Sequence, residues 1–552
     1  MIKSSAIFCF ERRHVAKRLD IIRYISIIKS IMKMKLIVTV LSLFLLAPSV
    51  ILALQDNKVD PGAISVDDGY KVEAIITGLS VPTTAIFDGE DLIIAESGFK
   101  NAANPRVLKI TKTGEVTVLV ETGLETPVTG LLVDEGILYI SHKGKISRLE
   151  KDGKMTDIIT GLPSEGDHQN NNIALGGDGR IYVGQGTVTN SGVIGEDNYI
   201  FGWLEKNPNI HDIPCFDITL TGKNYETDNP LTEADDKVLT GAYKPFGTPS
   251  TEGEIIKGET KCNGSILSFN KDGSDLKVVA SGLRNPFGLE FDAAGKLWAT
   301  FHGADVRGSR NIFNDADYLV EIKEGAWYGW PDFFEGKPVT DSRFKGPSNE
   351  QPTFLLKTHP KLALPFATFD SHTATNGLTF SKSDQFGFNG DAFIATFGTF
   401  APITSGLNVE LSGFSVLRVN MKNGEINKFA NNKIPGPSYL NRQGGFNRPS
   451  DVVFGPDESL YVVDWGASKL GDKGLELKPE TGIVWRIYNT STQVPRSLNG
   501  PIVVEASPTL DNDREPEVKN SSEIYKMILV RFWPLVALIF IIALIIWIKK
   551  RK

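Results

Sequence analysis

The sequence predicts an all-β protein folded as a six-bladed β-propeller, and three observations support this. Six segments repeat one order of features: a Gly-Leu or Asn-Arg-Pro lead-in, a strand, an acidic or glycine-containing turn, and a second strand. A second two-stranded pattern follows several of these segments, which gives units of four strands. The last unit lacks its fourth strand, and residues 70–77 (YKVEAIIT) precede the first unit and can supply it. Four-stranded sheets repeated around an axis form a propeller, and an open array of the same units is the alternative.

The repeated units can be placed along the chain by their first residues. The six segments begin at Gly78, Gly123, Gly161, Gly282, Ser371 and Asn447. The second pattern begins at Arg106, Lys145, Ser265 and Ser415. The chain is 552 residues long, so one ring with insertions uses most of it.

The fourth unit contains the clearest hairpin. Apolar residues alternate over residues 287–291, residues 292–295 (DAAG) form a turn, and residues 297–301 return as the second strand. A hairpin brings its two ends to the same side. We therefore expect Arg284 and Asn285 to lie beside His302, Gly303 and Ala304. Polar residues on such loops often carry function.

The chain outside the propeller differs in composition. We predict a basic leader and signal peptide over residues 1–54, the propeller over 65–490 with an insertion at 204–262, a flexible stalk over 491–526, a transmembrane helix over 527–548 and a cytoplasmic basic tail over 549–552. The alternative for the N-terminal apolar run is an uncleaved membrane anchor.

The C-terminal run predicts the location of the protein. Residues 532–548 are apolar, Trp533 and Trp547 lie near the two ends, and the run is followed directly by residues 549–552 (KKRK). The positive-inside rule places this basic tail in the cytoplasm and the propeller on the extracytoplasmic side of the cell membrane. A buried helix is the alternative.

The cysteines agree with an oxidising compartment. Of three cysteines, Cys9 lies upstream of the predicted signal, while Cys215 and Cys262 bracket the long insertion. In such a compartment Cys215 and Cys262 would form a disulfide. Two free buried thiols are the alternative.

The charge distribution limits the kinds of partner that the protein can bind. The net charge is −7, and basic residues are concentrated at the two ends of the chain, so the body is strongly acidic. An acidic body repels phosphate backbones, which argues against nucleic acid, but tolerates a divalent cation.

One face of the ring should collect the lead-ins and exits of the hairpins, and these supply the candidate site. The candidates are Glu96, His142, Asp167, His168, Gln169, Asn170, Thr187, Arg284, Asn285, His302, Gly303, Ala304, His372, Asn447, Arg448, Asp464 and Trp465. Four of the seven histidines of the chain fall on this face. Histidine suits proton abstraction near neutral pH, and arginine with asparagine suits a planar anionic ligand.

Three stretches resemble the soluble glucose/sorbosone dehydrogenases that depend on pyrroloquinoline quinone (PQQ). They are GLPSEGDHQNNNIALGGDGRIYVGQG from Gly161, GLRNPFGLEFDAAGKLWAT from Gly282, and WYGWP from Trp327. The resemblance covers roughly residues 78–487 and implies a six-bladed propeller with PQQ and calcium as cofactors. In that family the quinone carries the difficult chemistry and the protein orients it.

The resemblance also implies roles for individual residues. His168 matches the base that takes the sugar hydroxyl proton, and Arg284 and Asn285 match the pair that contacts the quinone. Gly303 and Ala304 match the positions whose backbone carbonyls hold calcium. The sequence departs from the family pattern in three places: His302 stands where the family has glutamine, Thr187 replaces an acidic residue, and residues 396–406 carry no cation, for which Arg448 is the candidate substitute.

These observations favour a membrane-anchored extracytoplasmic quinoprotein dehydrogenase that oxidises an aldose or sorbosone-like sugar and passes hydride to PQQ. Its electron acceptor is left open. A non-catalytic surface propeller that binds carbohydrate or protein is the alternative, because fold does not fix function. A calcium-dependent lactonase-like hydrolase is a third hypothesis.

Overall fold

The computed structural model describes residues 58–99, 102–232, 236–346, 350–400, 411–471, 474–496 and 500–506. The predicted signal peptide, transmembrane helix, basic tail and Cys9, with most of the predicted stalk, lie outside these residues. Within the described ranges, no helix has the length and apolar character needed to cross a membrane.

Six antiparallel sheets form the blades of a propeller, as predicted. Blade 1 contains Pro82–Asp88, Asp91–Glu96, Arg106–Ile110 and Val116–Val120, and blade 2 contains Val128–Asp134, Ile137–His142, Lys145–Leu149 and Met155–Ile159. Blade 3 contains Asn170–Leu175, Ile181–Gln185, Ser265–Phe269 and Lys277–Ser281, and blade 4 contains Asn285–Phe291, Leu297–His302, Tyr318–Glu321 and Ala367–Thr368. Blade 5 contains Thr375–Phe380, Ala392–Thr396, Ser415–Val419 and Ile426–Asn432, and blade 6 contains Pro449–Phe454, Leu460–Asp464, Gly482–Asn489 and Tyr70–Leu79.

The ring is closed by the strand that the sequence assigned to this role. Tyr70–Leu79 pairs antiparallel with Gly482–Asn489, with Tyr70 opposite Asn489 and Leu79 opposite Gly482. The first strand of every blade also lies against the first strands of both neighbouring blades, and blade 6 lies against blade 1. The open array is therefore excluded. Two short strands extend outer edges, Ile64–Val66 on blade 5 and Ile502–Val503 on blade 6.

Polar side chains on the first strands tie neighbouring blades together. Thr83 donates to the carbonyl oxygen of Val128 at 2.7 Å, which joins blades 1 and 2. Asn171 donates to the carbonyl oxygen of Pro286 at 2.9 Å, which joins blades 3 and 4. Buried backbone carbonyls need such partners, so these bonds stabilise a fixed spacing between blades.

Most middle strands are covered on both faces. All residues of Ala392–Thr396 and Leu460–Asp464 are buried, and in Leu297–His302 only His302 is partly exposed. Residues 287–291 alternate between apolar and other side chains, but burial along this strand does not alternate in the same way. The reason is that adjacent blades pack against both faces of each sheet. The outer strand Val116–Val120 is mostly exposed.

The insertion between the second and third strands of blade 3 carries most of the remaining structure. It holds the helices Glu196–Ile200 and Trp203–Lys206 and the strand pairs Ile218–Thr219 with Ile255–Ile256 and Asn224–Asp228 with Lys237–Gly241. Cys215 and Cys262 form a disulfide there, which confirms the predicted pairing. Elsewhere lie the helix Ser438–Asn441, the 3-10 turns Pro61–Ala63 and Ser342–Phe344, and the strand pairs Phe333–Phe334 with Lys337–Pro338 and Ser468–Gly471 with Gly474–Leu477.

Candidate functional site

The lead-in and exit of the blade 4 hairpin lie side by side, as the sequence predicts. Asn285 is the register partner of His302 across the hairpin. Asn285 Nδ2 lies 3.0 Å from His302 Nδ1, and Gly295 in the turn has a φ of 76°. This juxtaposition is the centre of a polar cluster to which blades 3, 4 and 5 contribute.

Arg284 holds that cluster together. Its Nε donates to the carbonyl oxygen of Asn190 at 3.1 Å, and its Nη1 donates to the carbonyl oxygen of Gly303 at 2.6 Å. Its Nη2 lies 3.1 Å from Asp167 and 3.0 Å from Asp305. Only 3% of the Arg284 side chain is exposed, so this guanidinium is committed to protein acceptors and fixes their spacing.

His168 lies beside this arginine network. Its ring centroid is 6.3 Å from that of His302, and its Nδ1 is 3.7 Å from Asp167 Oδ2, too far for a hydrogen bond. That buried Nδ1 has no hydrogen-bond partner among the described residues. Burial lowers the pKa of His168 to about 3, an effect that Asp167 only partly offsets. The imidazole is therefore neutral at neutral pH, with one ring nitrogen unprotonated.

Gly186 allows the approach of His168. A Cβ at this position would lie 2.3 Å from His168 Cβ and 2.7 Å from Asn285 Oδ1. The neighbouring backbone also pairs here, since the His168 N–H donates to the Thr187 carbonyl oxygen at 2.9 Å. The exit of the blade 3 hairpin thus positions the histidine through backbone contacts.

His302 is held between two asparagines. Its Nε2 lies 2.8 Å from Asn376 Oδ1 and its Nδ1 faces Asn285 Nδ2. The Asn285 side chain oxygen accepts from Asn171 Nδ2 at 2.7 Å. This arrangement requires the proton on Nε2 and leaves Nδ1 as an acceptor, and burial lowers the pKa of His302.

The Gly303–Ala304 backbone is oriented by two carboxylates. Asp317 accepts from the Gly303 N–H at 2.9 Å, and Asp315 accepts from the Ala304 N–H at 2.5 Å. In a trans peptide the C=O points away from the N–H. Because Asp315 fixes the Ala304 N–H, the Gly303 carbonyl of the same peptide points towards Arg284. Burial raises the pKa of Asp315 to about 8.

Sequence reasoning missed part of the cluster. Arg307 contacts three carboxylates: Asp167, Asp197 at 2.7 Å and Asp305 at 3.1 Å. Asn190 fixes the same loop, since its Nδ2 donates to the Asp305 carbonyl oxygen at 2.8 Å. Residues 302–310 (HGADVRGSR) form a charged run directly after the hairpin. This run is the sequence feature that could have indicated Arg307 as a site residue.

His372 joins the cluster from blade 5. Its Nδ1 lies 3.3 Å from Asp305 Oδ1, and its backbone adopts a φ of 62°. Burial alone would lower the pKa of His372, but the hydrogen bond and charge of Asp305 raise it above the ordinary value. Burial would raise the pKa of Asp305, yet Arg284 and the other cations hold it low.

Three candidate residues form hydrogen bonds within their own hairpins and are not part of the polar cluster. Glu96, His142 and Asp464 each end the second strand of a blade and accept a backbone N–H from the lead-in of the same blade. The bonds run from Ser80 to Glu96 at 2.6 Å, from Glu125 to His142 at 2.9 Å and from Asn447 to Asp464 at 2.7 Å. These residues are structural, and the recurrence explains why polar residues stand at this position of the repeat.

Four more candidates also have local roles. The Asn170 amide donates to the carbonyl oxygen of His142 at 2.9 Å, and the hydroxyl of Thr187 donates to the Thr189 carbonyl oxygen at 2.7 Å. Gln169 contributes its carbonyl oxygen, which accepts from Gly186. The Trp465 ring packs against those of Phe99 and Phe397, at 5.8 and 5.1 Å.

Arg448 lies in a separate set of contacts between blades 5 and 6. Its Nη1 donates to the Gly398 carbonyl oxygen at 2.9 Å and its Nε to Ser468 Oγ at 2.7 Å. Its guanidinium carbon lies 3.7 Å from the centroid of Phe400 and 5.0 Å from that of Phe397. Burial lowers the pKa of Arg448 to about 10. The structure thus gives this arginine a packing role and does not bring it to Arg284.

The charges of its side chains affect which ions the polar cluster can bind. Three carboxylates (Asp167, Asp197 and Asp305) face two guanidinium groups (Arg284 and Arg307). His372, whose pKa is raised by Asp305, adds a third positive charge when it is protonated, so these charges nearly balance. Among the described residues, no group of three or more His, Cys, Asp and Glu side chains is arranged to hold a metal ion.

Comparison with known proteins agrees with the motifs. Residues 250–408 match the model of the Glucose / Sorbosone dehydrogenase family. The predicted resemblance is confirmed. This stretch includes the blade 4 hairpin with Arg284, Asn285 and His302.

A related protein of described function matches a longer part of the chain than the family model does. Quinoprotein glucose dehydrogenase B of Acinetobacter calcoaceticus is 24% identical over 334 residues, which are 56% of this chain and 61% of that protein. The match thus spans less than two thirds of the relative's length.

Solved structures show the same fold. Two structures of Trichoderma reesei Carbohydrate-Active Enzymes Family AA12, an iodide structure and a calcium structure, each superpose with a TM-score of 0.50 at 14% identity. They cover 79% of this chain and 100% and 99% of the respective structures. At this identity the likeness concerns the fold alone.

Proposed function

We propose that this protein is a PQQ-dependent sugar dehydrogenase that uses calcium. One observation carries the proposal: Arg284 joins Asp167, the neighbour of the neutral base His168, to the carbonyl of Gly303. The candidate base and the candidate calcium-binding backbone therefore belong to one cluster. The curated relative, a quinoprotein glucose dehydrogenase, supports the same reaction class.

The residues present fit the two cofactors. The carbonyls of Gly303 and Ala304 would hold calcium, since carbonyl oxygens are suitable calcium ligands, and the carboxylate of Asp305 follows directly in the chain. Asn285 and His302 would flank the quinone, and Arg284 would hold Asp167 and the Gly303 carbonyl in place beside them. A bound quinone would supply the hydride acceptor, which no side chain can replace.

His168 would take the proton of the sugar hydroxyl. Because Nδ1 faces Asp167 at 3.7 Å, a protonated ring would place its Nδ1–H towards that carboxylate, and Nε2 would be the atom that accepts the substrate proton. Asp167 would stabilise the imidazolium that forms. The hydroxyl hydrogen thus leaves as a proton and the carbon-bound hydrogen as hydride, so the carbon becomes a carbonyl.

Reconstitution tests the proposal directly. The purified full chain would be incubated with PQQ and Ca²⁺, and glucose-dependent reduction of an artificial electron acceptor would be measured. Turnover that requires both cofactors is expected. Absence of any PQQ binding, seen as an unchanged cofactor absorbance spectrum, would contradict the proposal and favour a non-catalytic carbohydrate- or protein-binding propeller.

We also propose that the protein is held in the cell membrane by residues 527–548 with the propeller on the extracytoplasmic side. The apolar run followed by KKRK supports this orientation. Protease added to intact cells should release the propeller, and protection until lysis would overturn the orientation.

A further inference from the structure

The described chain leaves the propeller on the face that carries the polar cluster. We call this face, where the hairpin lead-ins and exits of the blades lie, the site face. Tyr70–Leu79 runs towards it, because this strand leads directly into blade 1, and Ile502–Val503 pairs with the strand in parallel. The next contact is also at the site face, since Arg106 Nη2 donates at 2.7 Å to the carbonyl oxygen of Glu505. The predicted transmembrane segment follows from residue 527.

The described chain also begins at this face. Ile64 is the register partner of Asn432, the last residue of the fourth strand of blade 5, and that strand ends at the site face. Just before it, the Asp60 N–H donates at 2.8 Å to the carbonyl oxygen of Gly444, which lies in the lead-in of blade 6. Both ends of the described propeller, which connect it to the two predicted apolar runs, therefore lie on one face.

Three exposed apolar side chains lie close together on the site face between blades 5 and 6. Leu411, Ile434 and Leu440 are 45%, 46% and 49% exposed. A Cβ on Gly436 would lie 2.9 Å from Leu411 Cδ1, which places Leu411 against the loop that carries Ile434. Asn441 Nδ2 donates at 2.9 Å to the carbonyl oxygen of Ile434, which holds the short helix with Leu440 against the same loop.

Two basic residues complete this surface. Lys433 directly precedes Ile434, Arg442 ends the helix that carries Leu440, and both basic residues are exposed. Apolar side chains mixed with lysine and arginine are typical of surfaces that bind the interface of a membrane. We call Leu411, Lys433, Ile434, Leu440 and Arg442 the basic apolar patch.

The patch is positively charged although the body of the protein is acidic. Asp60, which lies near Lys433, is paired with Lys58 at 2.9 Å. This ion pair leaves the charges of Lys433 and Arg442 in place. An anionic lipid surface would attract this part of the protein and repel most of the rest, so charge determines which face approaches it.

We propose that the basic apolar patch docks onto a bilayer surface that contains anionic lipids, with the site face turned towards the membrane. The apolar side chains would enter the headgroup layer, and Lys433 and Arg442 would pair with lipid phosphates. This inference rests on the proposed membrane attachment and adds an orientation to it, and it does not depend on dehydrogenase activity. The polar cluster would lie on the membrane side of the propeller.

Fluorescence quenching by lipid tests the docking. The full chain with Leu440→Cys and Cys9→Ser would carry an environment-sensitive fluorophore at position 440, since Cys215 and Cys262 are bonded to each other. In vesicles of phosphatidylcholine and phosphatidylglycerol, we expect blue-shifted emission and quenching by brominated lipids. Val494→Cys in the same background is the matched control and should show neither effect, because Val494 is an exposed apolar residue (76%) at the opposite face, after the third strand of blade 6.

The basic residues provide a second test. Lys433→Gln with Arg442→Gln should lower the docking equilibrium constant about fivefold per residue, the contribution of one basic residue near an anionic surface. Quenching at position 440 should fall accordingly, and vesicles of phosphatidylcholine alone should weaken docking of the protein with both basic residues intact. Lys422→Gln is the control, because Lys422 is exposed in the turn between the third and fourth strands of blade 5, at the opposite face.

The outcomes separate docking from attachment. A chain that does not float with vesicles of either composition would overturn the attachment and the docking together. A chain that floats with an unquenched label at position 440 would overturn the docking and leave the attachment standing. A blue shift without quenching by brominated lipid that rises with the number of chains per vesicle would also overturn the docking, because a second copy of the chain would then cover the patch.

Discussion

Arg284 Nη1 lies 2.6 Å from the carbonyl oxygen of Gly303, at the point where the two ends of the blade 4 hairpin meet. The same guanidinium reaches Asp167 in the lead-in of blade 3. One arginine thus sets the distance between the peptide that would hold calcium and the segment that carries His168. Its geometry, five donors in a rigid fork, suits this role.

We predict that Arg284→Lys and Arg284→Ala weaken cofactor binding to a similar extent. Lysine keeps the charge, but one ammonium cannot reach the four separated acceptors that Arg284 contacts. Loss of a hydrogen bond to a charged group corresponds to about 10- to 100-fold in affinity. Titration of PQQ at fixed Ca²⁺ measures this, and activity should partly return at high cofactor. A Lys variant with wild-type affinity would show that charge alone matters.

His168→Ala should strongly reduce turnover and leave cofactor binding intact. A positioned general base typically contributes about 10²- to 10⁴-fold, so kcat should fall by this factor. His211→Ala is the control, because the hydrogen bond of His211 is to Asn209 in its own loop, outside the polar cluster. If kcat of the His168 variant stayed within a few fold of wild type, another residue would be the base.

His142 should make the stability of the fold depend on pH. Burial lowers its pKa to about 4 from an ordinary 6.5, and its Nδ1 accepts the Glu125 N–H at 2.9 Å. Between these values the unfolded chain binds more protons than the folded one, so the free energy of unfolding falls as pH drops from 6.5 to 4. The loss at the acid end is about 3 kcal/mol.

His142→Gln provides the test of that dependence. Glutamine can accept the Glu125 N–H without titrating, so urea unfolding of the variant at pH 7 and at pH 4.5 should show a smaller difference than wild type. Buried carboxylates titrate in both proteins and cancel in this comparison. Identical differences would mean that His142 is protonated without cost in the folded state.

The disulfide should stabilise the insertion and, through it, the backbone around His168. Asn263 directly follows Cys262, and the Asn263 Nδ2 donates at 2.9 Å to the carbonyl oxygen of Gly186. Gly186 in turn lies close against His168. The double variant Cys215→Ser, Cys262→Ser should lose about 2–4 kcal/mol in unfolding free energy. Hydrogen exchange should rise first in the insertion. A uniform rise over all blades would contradict this local role.

Much of the fold follows from the sequence because it depends on local patterns. The repeated hairpins, the closing strand from Tyr70 and the meeting of Arg284 and Asn285 with His302 all follow from strand periodicity and turn residues. The pairing of Cys215 with Cys262 was also predicted, because these two cysteines bracket the insertion and remain after the predicted signal in an oxidising compartment. The charged run at 302–310 could have drawn attention to Arg307, but its contacts with Asp167 and Asp197 could not be predicted, since these partners lie in segments far apart in the chain.

His142 and His302 show what only the tertiary structure decided. Both end the second strand of a blade, so the sequence gives them the same position and the same candidate role. His142 accepts a backbone N–H from its own lead-in and is fully buried. His302 instead meets the Asn285 side chain and Asn376 from the next blade and faces His168. The repeat determines where each histidine stands, and the side chains brought against it by neighbouring blades determine its hydrogen bonds, its protonation and therefore its chemistry.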